Sequence, residues 1–558
     1  MSINLSQQRR AELLSHIEEI RAFLKKSLYD ENARQLASYL NDLEREVKGK
    51  KYGLVFEEHK ESIDEKLENN LPVLTEEKEL FVGNGGELNF LLEGDNLASL
   101  KLLEKTHKGK IDVIYIDPPY NTGNKDFIYD DDFVDSADSF RHSKWLSFME
   151  KRLKIARELM NEKGVIFISI DDNEQSDLKL LCDEIFGDKN YISDIIWNSR
   201  KSVSNDAIIS MNHNYTLLYT KNIKEFNLKK NQFKLPDNGE GFSNPDNDPR
   251  GLWKADPFDS PGIRPNLTYK IKNPNTGIEY LPPEGRCWRT GEKEYKDFLA
   301  DNRIIFGKTG NSKPQLKRFL SEAQLKGLTP KSIWDDCGTA TNGTQELQEI
   351  FGSKVFDTPK PVDFIRKTLQ LSTFNSPFST ILDFFAGSGT TGHAVLKLNA
   401  EDGGHRCFIL CTNNENSICR DITYERLKTV ITGKRKDGSE YSEGLPGSLK
   451  YFKVDFVEIT EKEYYEYADK LLLHVRELVE LENAVNFEGN SRLAIVLTDE
   501  ELEAFFAQTL KQVQGNGEVK TLYLGHDLLL SKEEKSLLKK RGIQVKIIPQ
   551  YYYPELNG

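Results

Sequence analysis

Four short, predominantly apolar runs set the strongest limit on what this chain can fold into: IDVIYI (111–116), GVIFISI (164–170), TILDFFA (380–386) and CFILCT (407–412). A strand that is apolar on both sides has no face to give to water, and the fold that buries both faces is a parallel sheet covered by helices. The stretches between the runs supply those helices. LNFLLEGDNLASLKLLEK (88–105) reads as a strand, a Gly94-Asp95 turn and a helix capped by Asp95 or Asn96. SFRHSKWLSFMEKRLKIARELMN (139–161) puts Trp145, Phe148, Leu153, Ala156 and Met160 along one helical stripe. The alternation predicts an α/β fold with a doubly wound, Rossmann-like sheet.

Between 197 and 355 the alternation is lost among Pro, Gly, Asn and aromatic residues, which marks an inserted domain. It resumes with a helix at KPVDFIRKTLQL (360–371) and runs to 432. A polar, Gly-rich stretch near 433–448 precedes a small α/β piece to 558, with helices expected at 461–483, 499–512 and 532–541 and strands at RLAIVLT, VKTLYL and IQVKIIP. Residues 1–50 repeat Leu and Ile at helical spacing around Leu13, Ile17 and Leu24, and again around Leu36, Leu40 and Leu43. They form either a helical hairpin serving as a dimer arm or a cap on the neighbouring domain. The expected division is therefore 1–50, 51–196 and 356–432 as two halves of one sheet domain, 197–355 inserted, and 433–558.

No apolar run approaches the roughly 20 residues needed to span a bilayer, and the first residues lack the apolar core of a signal peptide, so the expected location is the cytoplasm with no membrane partner. The six cysteines form no CxxC pair, and neither His393 nor His405 completes a zinc spacing with them, so they read as reduced structural thiols. A net charge of -13 argues on average against a polyanionic partner. The average conceals the insert: residues 197–330 hold 22 Lys and Arg against 15 Asp and Glu, a local surplus of +7.

Two strand ends carry chemistry. LDFFAGSGTTG (382–392) is a strand, a glycine turn and a helix start, which lets a ligand approach the backbone and offers it free N–H groups. It is neither GxGxxG nor a phosphate loop, and no lysine follows the turn, which disfavours ATP. A carboxylate beside an amino group, as at the methionine end of S-adenosylmethionine, matches the backbone donors and Asp383. Glu415, after the next strand, stands where an acid would hold sugar hydroxyls, or is a surface-turn acid. The second strand end is IDPPYN (116–121). Two prolines fix φ and remove N–H groups, so Asp117 and the Pro118 carbonyl form an all-acceptor pocket for an exocyclic amine, with Tyr120 as a stacking face for a planar heterocycle.

IDPPYN followed far downstream by LDFFAGSGTT resembles the amino-group DNA methyltransferases of the β class. IDPPYNTGNKDFIYDD, FISIDDNE, TPKPVDFIRK and ITYERLK are similar to the modification subunits of type III restriction-modification systems, over roughly 50–432. The resemblance implies that Asp117, Pro118, Pro119 and Tyr120 are catalytic. It implies that Phe384, Gly387, Ser388, Gly389 and Thr390 line S-adenosylmethionine, with Asp383 near its amino group, Asp95 on its adenine and Lys360 closing its methionine end. Aspartate rather than serine at 117 favours adenine N6 over cytosine N4. The reaction implied is direct displacement, with no metal, on a base flipped out of double-stranded DNA. A homodimer and a helicase-nuclease restriction subunit are the implied partners. The insert becomes a target-recognition domain, where Trp253, Trp288, Arg264 and Arg289 are candidate contacts, although each residue type is found more often in a core or on a solvated surface. Cytosine N4, an RNA adenine or a protein glutamine amide remain alternative acceptors, and a DNA-binding specificity subunit remains the non-enzymatic alternative.

Overall fold

A single mixed sheet gathers strands from both ends of the alternating pattern. The computed structural model describes residues 5–24, 36, 39–41, 43, 44, 54, 56–129, 132–135, 138–307, 309–373, 376, 378–459, 464–487, 490–511 and 519–554. In chain order the sheet's strands are β1 (Asn70–Glu76), β2 (Leu88–Glu93), β3 (Ile111–Ile116), β4 (Met160–Ile170), β5 (Tyr191–Trp197), β6 (Asn214–Thr220), β7 (Ile333–Trp334), β8 (Phe378–Asp383), β9 (His405–Thr412) and β10 (Ser448–Glu458). They lie side by side as β1-β10-β2-β9-β8-β3-β4-β6-β5-β7, with Val82–Gly83 also paired to β10. The six strands from β10 to β4 run parallel; β6 reverses, β5 and β7 return to the common direction, and β1 is antiparallel at the far edge.

The N-terminal helix is α1 (Leu5–Leu24), and the helices that bear on the site are α2 (Asn96–His107), α3 (Arg141–Leu159), α4 (Gln175–Cys182), α5 (Ala340–Phe351), α6 (Val362–Thr373), α7 (Thr390–Asp402) and α8 (Glu425–Thr432). The apolar runs divide their side chains between two cores, as a period of two requires. Ile114, Ile116, Ile166, Ile168, Leu382 and Ile409 enter one, while Val113, Tyr115, Val165, Phe167, Ile381 and Phe408 enter the other. The doubly wound α/β expectation holds for this sheet.

The boundaries drawn from sequence need correction. β6 and β7 lie inside the span assigned to the insert, and β10 lies inside the span assigned to the last domain, yet all three pair in the main sheet. Pairing partners are a tertiary property, so a strand flanked by polar loops gives no local sign of which sheet it joins. What remains of the insert has its own three-stranded sheet (Trp253–Pro257, Gln315–Phe319, Ile304–Ile305) and its own core of Phe258, Ile271, Trp288, Tyr295, Ile304 and Phe306. Trp253 and Trp288 are buried there, the latter's indole donating to the Tyr269 carbonyl at 2.7 Å, so neither is a surface contact; Arg264 and Arg289 are exposed. The final piece is a parallel sheet of Leu493–Val496, Thr521–Gly525 and Gln544–Ile548. The helix expected over 461–483 is two helices, Tyr464–Leu472 and Val475–Asn483. In the N-terminal segment α1 is present, whereas most of the second expected helix lies outside the described residues. Among the described residues no helix is long and apolar enough to cross a membrane.

Candidate active site

β3 and β8 are neighbours and parallel, with Val113 opposite Ile381 and Ile114 opposite Leu382. Their carboxyl ends therefore open on the same edge of the sheet, about 4.8 Å apart across the ladder. Asp117 follows one strand and Asp383 ends the other, although 266 positions separate them in the chain. Open α/β sheets bind their ligands outside such strand ends.

Asp117 does not stand alone. Lys360, 8% exposed, comes from the turn before α6 and forms an ion pair through Nζ with Asp117 Oδ2. The same ammonium lies 5.2 Å from the Tyr120 ring centroid. Sequence resemblance put Lys360 at the methionine end of the cofactor; the structure places it on the carboxylate of the other motif. Asp117 Oδ1 is buried and has no hydrogen-bond partner among the described residues. A buried acceptor without a donor is costly unless a ligand supplies one. The Pro119 carbonyl accepts from the Trp145 indole at 2.7 Å, so α3 holds the proline pair in place and commits the second of its carbonyls.

Tyr120 packs against the core, and its hydroxyl is buried without a partner among the described residues. Burial, and then the neighbouring Asp117 carboxylate, holds the phenol well above its ordinary range, so it stays protonated. The hydroxyl faces the Asp117 carboxylate as a neutral group and does not act as a base. Tyr120→Phe is expected to retain activity, whereas Tyr120→Ala removes a stacking face worth about 1–3 kcal/mol per base, and methyl-transfer rates for the two variants measure the difference. Equal loss in both would remove stacking from its role.

The next residue, Asn121, is fully buried in the left-handed region at φ 57°. Asparagine tolerates that conformation better than most residues. Its amide donates to Glu174 Oε1 at 2.5 Å and to the Arg141 carbonyl at 3.2 Å, and His142 Nδ1 lies 2.7 Å from the same carboxylate oxygen. Glu174, at the start of α4, is buried, and burial pushes its carboxyl up to about 8. Neither Asn121 nor Glu174 was a sequence candidate for the site. The signal was the quoted FISIDDNE, whose last residue is this acid.

On the β8 side the chain turns through Gly387 (φ 48°) and Gly389 (φ 76°) into α7. A β-carbon at Gly389 would meet Thr423 at 3.1 Å, so both backbone angle and space demand glycine there. Behind the turn Arg426 is fully buried; its guanidinium donates to the Ser388 carbonyl and hydroxyl, both at 3.2 Å, and to Thr390 Oγ1 at 2.8 Å. Burial lowers this guanidinium to about 10. The hydroxyls of Ser388 and Thr390 are thus engaged inside the protein, and the turn has its backbone left to offer a ligand. Asp383 accepts from the Phe385 N–H at 3.0 Å and from the Thr391 hydroxyl at 2.5 Å, and burial pushes its carboxyl up to about 7. Phe384 is wholly buried in the core, so it cannot line an open cleft; Phe385 is the half-buried ring of the pair.

Asp95 ends the strand two places away from β8 and caps α2, accepting from the N–H of Leu97 at 2.7 Å and of Ala98 at 3.3 Å. Its other oxygen lies 3.7 Å from Arg152 and remains on a side chain 38% exposed. Glu415 follows β9 in a short turn and is exposed. Apart from Lys360, the sequence candidates therefore sit at or just beyond the carboxyl ends of four consecutive strands, β2, β9, β8 and β3.

A family profile described as "DNA methylase" matches residues 111–430, more than half of the chain and the whole interval between the two strand ends. The chain belongs to the DNA methylase family. Among proteins it is similar to, the type III restriction-modification enzyme StyLTI Mod subunit of Salmonella typhimurium (strain LT2) is 36% identical over 62% of this chain and 56% of that one. The EcoPI Mod subunit of Escherichia phage P1 is 37% identical over 60% of this chain and 58% of that one. The type II methyltransferase M.KpnI of Klebsiella pneumoniae is 34% identical over 65% of this chain and 90% of that one. The chain spans just over half the length of the two Mod subunits and nearly all of the type II enzyme.

Proposed function

We infer that the chain methylates N6 of adenine in double-stranded DNA with S-adenosylmethionine, as the modification subunit of a type III restriction-modification system. The observation that carries this reading is the buried Oδ1 of Asp117, without a hydrogen-bond partner among the described residues, at the strand end next to the one that leads into the glycine turn. Support comes from relatives that are named as Mod subunits and as a type II methyltransferase.

The residues fit the cofactor. The turn from Gly387 to Thr390 offers backbone N–H groups at the start of α7 to its carboxylate, and Asp383, with Lys360 nearby, faces its amino group. An ammonium brought beside Asp383 would draw that carboxyl back toward its ordinary range. Phe385, Asp95 and Glu415 are the remaining contacts of this reading. When bound, S-adenosylmethionine supplies an electrophilic methyl carbon. Asp117 Oδ1 accepts one N–H of the adenine amine and the Pro118 carbonyl the other, which aims the nitrogen lone pair at that carbon. The nitrogen becomes acidic only as it acquires positive charge, so Asp117 acts first as acceptor of a hydrogen bond and then of the proton. Flipping the base costs a few kcal/mol, which stacking on Tyr120 offsets in part.

The same reading makes the basic insert the target-recognition domain, residues 1–50 a dimer arm, a helicase-nuclease restriction subunit the second protein partner, and the cytoplasm the location. It is tested by incubating the protein with duplex DNA and methyl-tritiated cofactor, then digesting the DNA to nucleosides. Label in N6-methyladenine is expected. Label confined to N4-methylcytosine would overturn the choice of base, and no transfer to DNA would overturn the function.

A further inference from the structure

The connection between β5 and β6, residues 198–213, carries the largest unexplained apolar exposure beside the site. Ile208 is 102% exposed, Ile209 76%, Val203 68% and Met211 51%, and none of the four belongs to an apolar cluster of the described residues. Isolated exposed leucines and isoleucines are ordinary, but four on one projecting connection mark a contact surface.

The loop is built to hold that tip out. At its base the Trp197 indole donates to the Gly338 carbonyl at 2.9 Å, and the Ala340 N–H to the Ser199 carbonyl at 3.0 Å, tying it to α5. Its two arms are cross-linked: the Arg200 N–H donates to the Asn212 carbonyl at 3.2 Å, the Asn212 amide to the carbonyls of Arg200 and Ser202 at 2.8 and 2.9 Å, and the Ser204 N–H to Ser210 Oγ at 3.0 Å. These bonds leave the Ile208-Ile209 end projecting beyond a fastened neck.

Strand direction fixes where the loop stands. β5 runs parallel to β3, so Trp197 and Asp117 leave the sheet on the same edge. The two strands are separated by β4 and β6, three ladder spacings or about 14 Å. The shorter arm, Ser210 to His213, spans at most about 14 Å and starts from β6, two ladder spacings or about 10 Å from β3, so the Asp117 cleft lies within the loop's reach. Arg200 and Lys201, both exposed, stand at the neck of the loop, and Asp206, also exposed, is its one acid. Two cations at the neck suit a strand whose phosphates pass the base of the loop while its aliphatic end meets a base step. A protein partner would need an interface of about 1,000 Å² or more, which four side chains on a narrow tip do not provide.

We propose that the Ile208-Ile209 tip is a wedge that enters the DNA base stack beside the flipped adenine and fills the space it leaves, an inference that rests on the DNA-methylation reading. The function then divides: Asp117 and Tyr120 hold the extruded base, and the wedge keeps it from returning.

The target sequence is first identified by sequencing DNA methylated by the wild-type protein. Methyl transfer is then measured on two duplexes carrying that site, one fully paired and one with an abasic position opposite the target adenine, where extrusion is already favoured. Ile208→Ser/Ile209→Ser lies on exposed positions and is expected to lose about tenfold or more on the paired duplex and to recover to within about twofold of wild type on the abasic one. Ile208→Leu/Ile209→Met is expected to behave as wild type on both. Unchanged transfer by the serine variant on the paired duplex overturns the wedge, as does an equal loss on both duplexes. Loss of self-association by light scattering with transfer intact also overturns it, making the tip a protein contact. Absence of transfer by the wild-type protein on every duplex sinks the underlying reading instead.

Discussion

Replacing Asp117 by alanine is expected to lower methyl transfer by about 10²–10⁴-fold, the usual contribution of a positioned acid or base, while cofactor affinity stays within about tenfold. The structure gives the reason for the asymmetry. Oδ1, without a partner among the described residues, is the oxygen left for the incoming amine, whereas Oδ2 is already committed to Lys360. Removing the carboxylate therefore deletes the contact made in the reaction and leaves the glycine turn untouched. It also leaves the Lys360 ammonium, 8% exposed, without its counter-charge. A buried cation that has lost its partner is destabilising, and a positive sulfur nearby makes it more so. Asp117→Ala/Lys360→Met should accordingly be no less stable than Asp117→Ala and no more active, a non-additive pair. Equilibrium binding of cofactor and single-turnover methylation of DNA measure the two effects separately. Retained transfer in Asp117→Ala would remove the site from β3.

Lys360 commits one oxygen of Asp117 and leaves the other to accept a hydrogen bond. Lysine thus has a part in both motifs: it pairs with Asp117, and its charge acts on Asp383 in the opposite sense to burial.

The framework of this site was legible because its strands are apolar on both faces. IDVIYI and TILDFFA could be read as buried strands from composition alone, and the residues that end them are the ones the fold brings together. Asp95 was legible as a cap because its neighbours already read as a helix start. Contacts between distant segments were not legible. Lys360 meets Asp117 across 243 positions and Arg426 supports Ser388 across 38. Arg426 looked like one cation among the chain's 76, and Lys360 was named through the resemblance with a different neighbour, the methionine end of the cofactor. Two consecutive phenylalanines gave no means of telling which ring is buried once the strand turns into the glycine loop. The membership of β6, β7 and β10 in the main sheet is decided by partners, not by their own residues, which is why the domain limits at 197, 355 and 433 divide that sheet wrongly.

The second large effect concerns the support beneath the catalytic segment. Glu174→Gln is expected to stabilise the protein above neutral pH and to change little near pH 4. In the unfolded chain this carboxyl titrates at its ordinary value of 4.5, and in the fold burial pushes it up to about 8. Below the lower value both states hold the proton and the group contributes nothing to the difference. Between the two the native state holds a proton that the unfolded state has released, so stability falls as pH rises through the window and levels off above 8. The shift corresponds to a loss on the order of several kcal/mol. Glutamine keeps an acceptor for the Asn121 amide without a proton to lose, so the decline should flatten. A residual slope should remain from Asp383, whose carboxyl is displaced in the same direction, to about 7. Urea midpoints for both proteins at several pH values between 5 and 9 test this, and parallel curves would mean that Glu174 titrates normally. The same contact links the titration to function. Asn121 directly follows Tyr120, and its left-handed backbone is held by the Glu174 and Arg141 bonds. Glu174→Ala, which removes the acceptor instead of mimicking its neutral form, should therefore lower methyl transfer while Glu174→Gln preserves it.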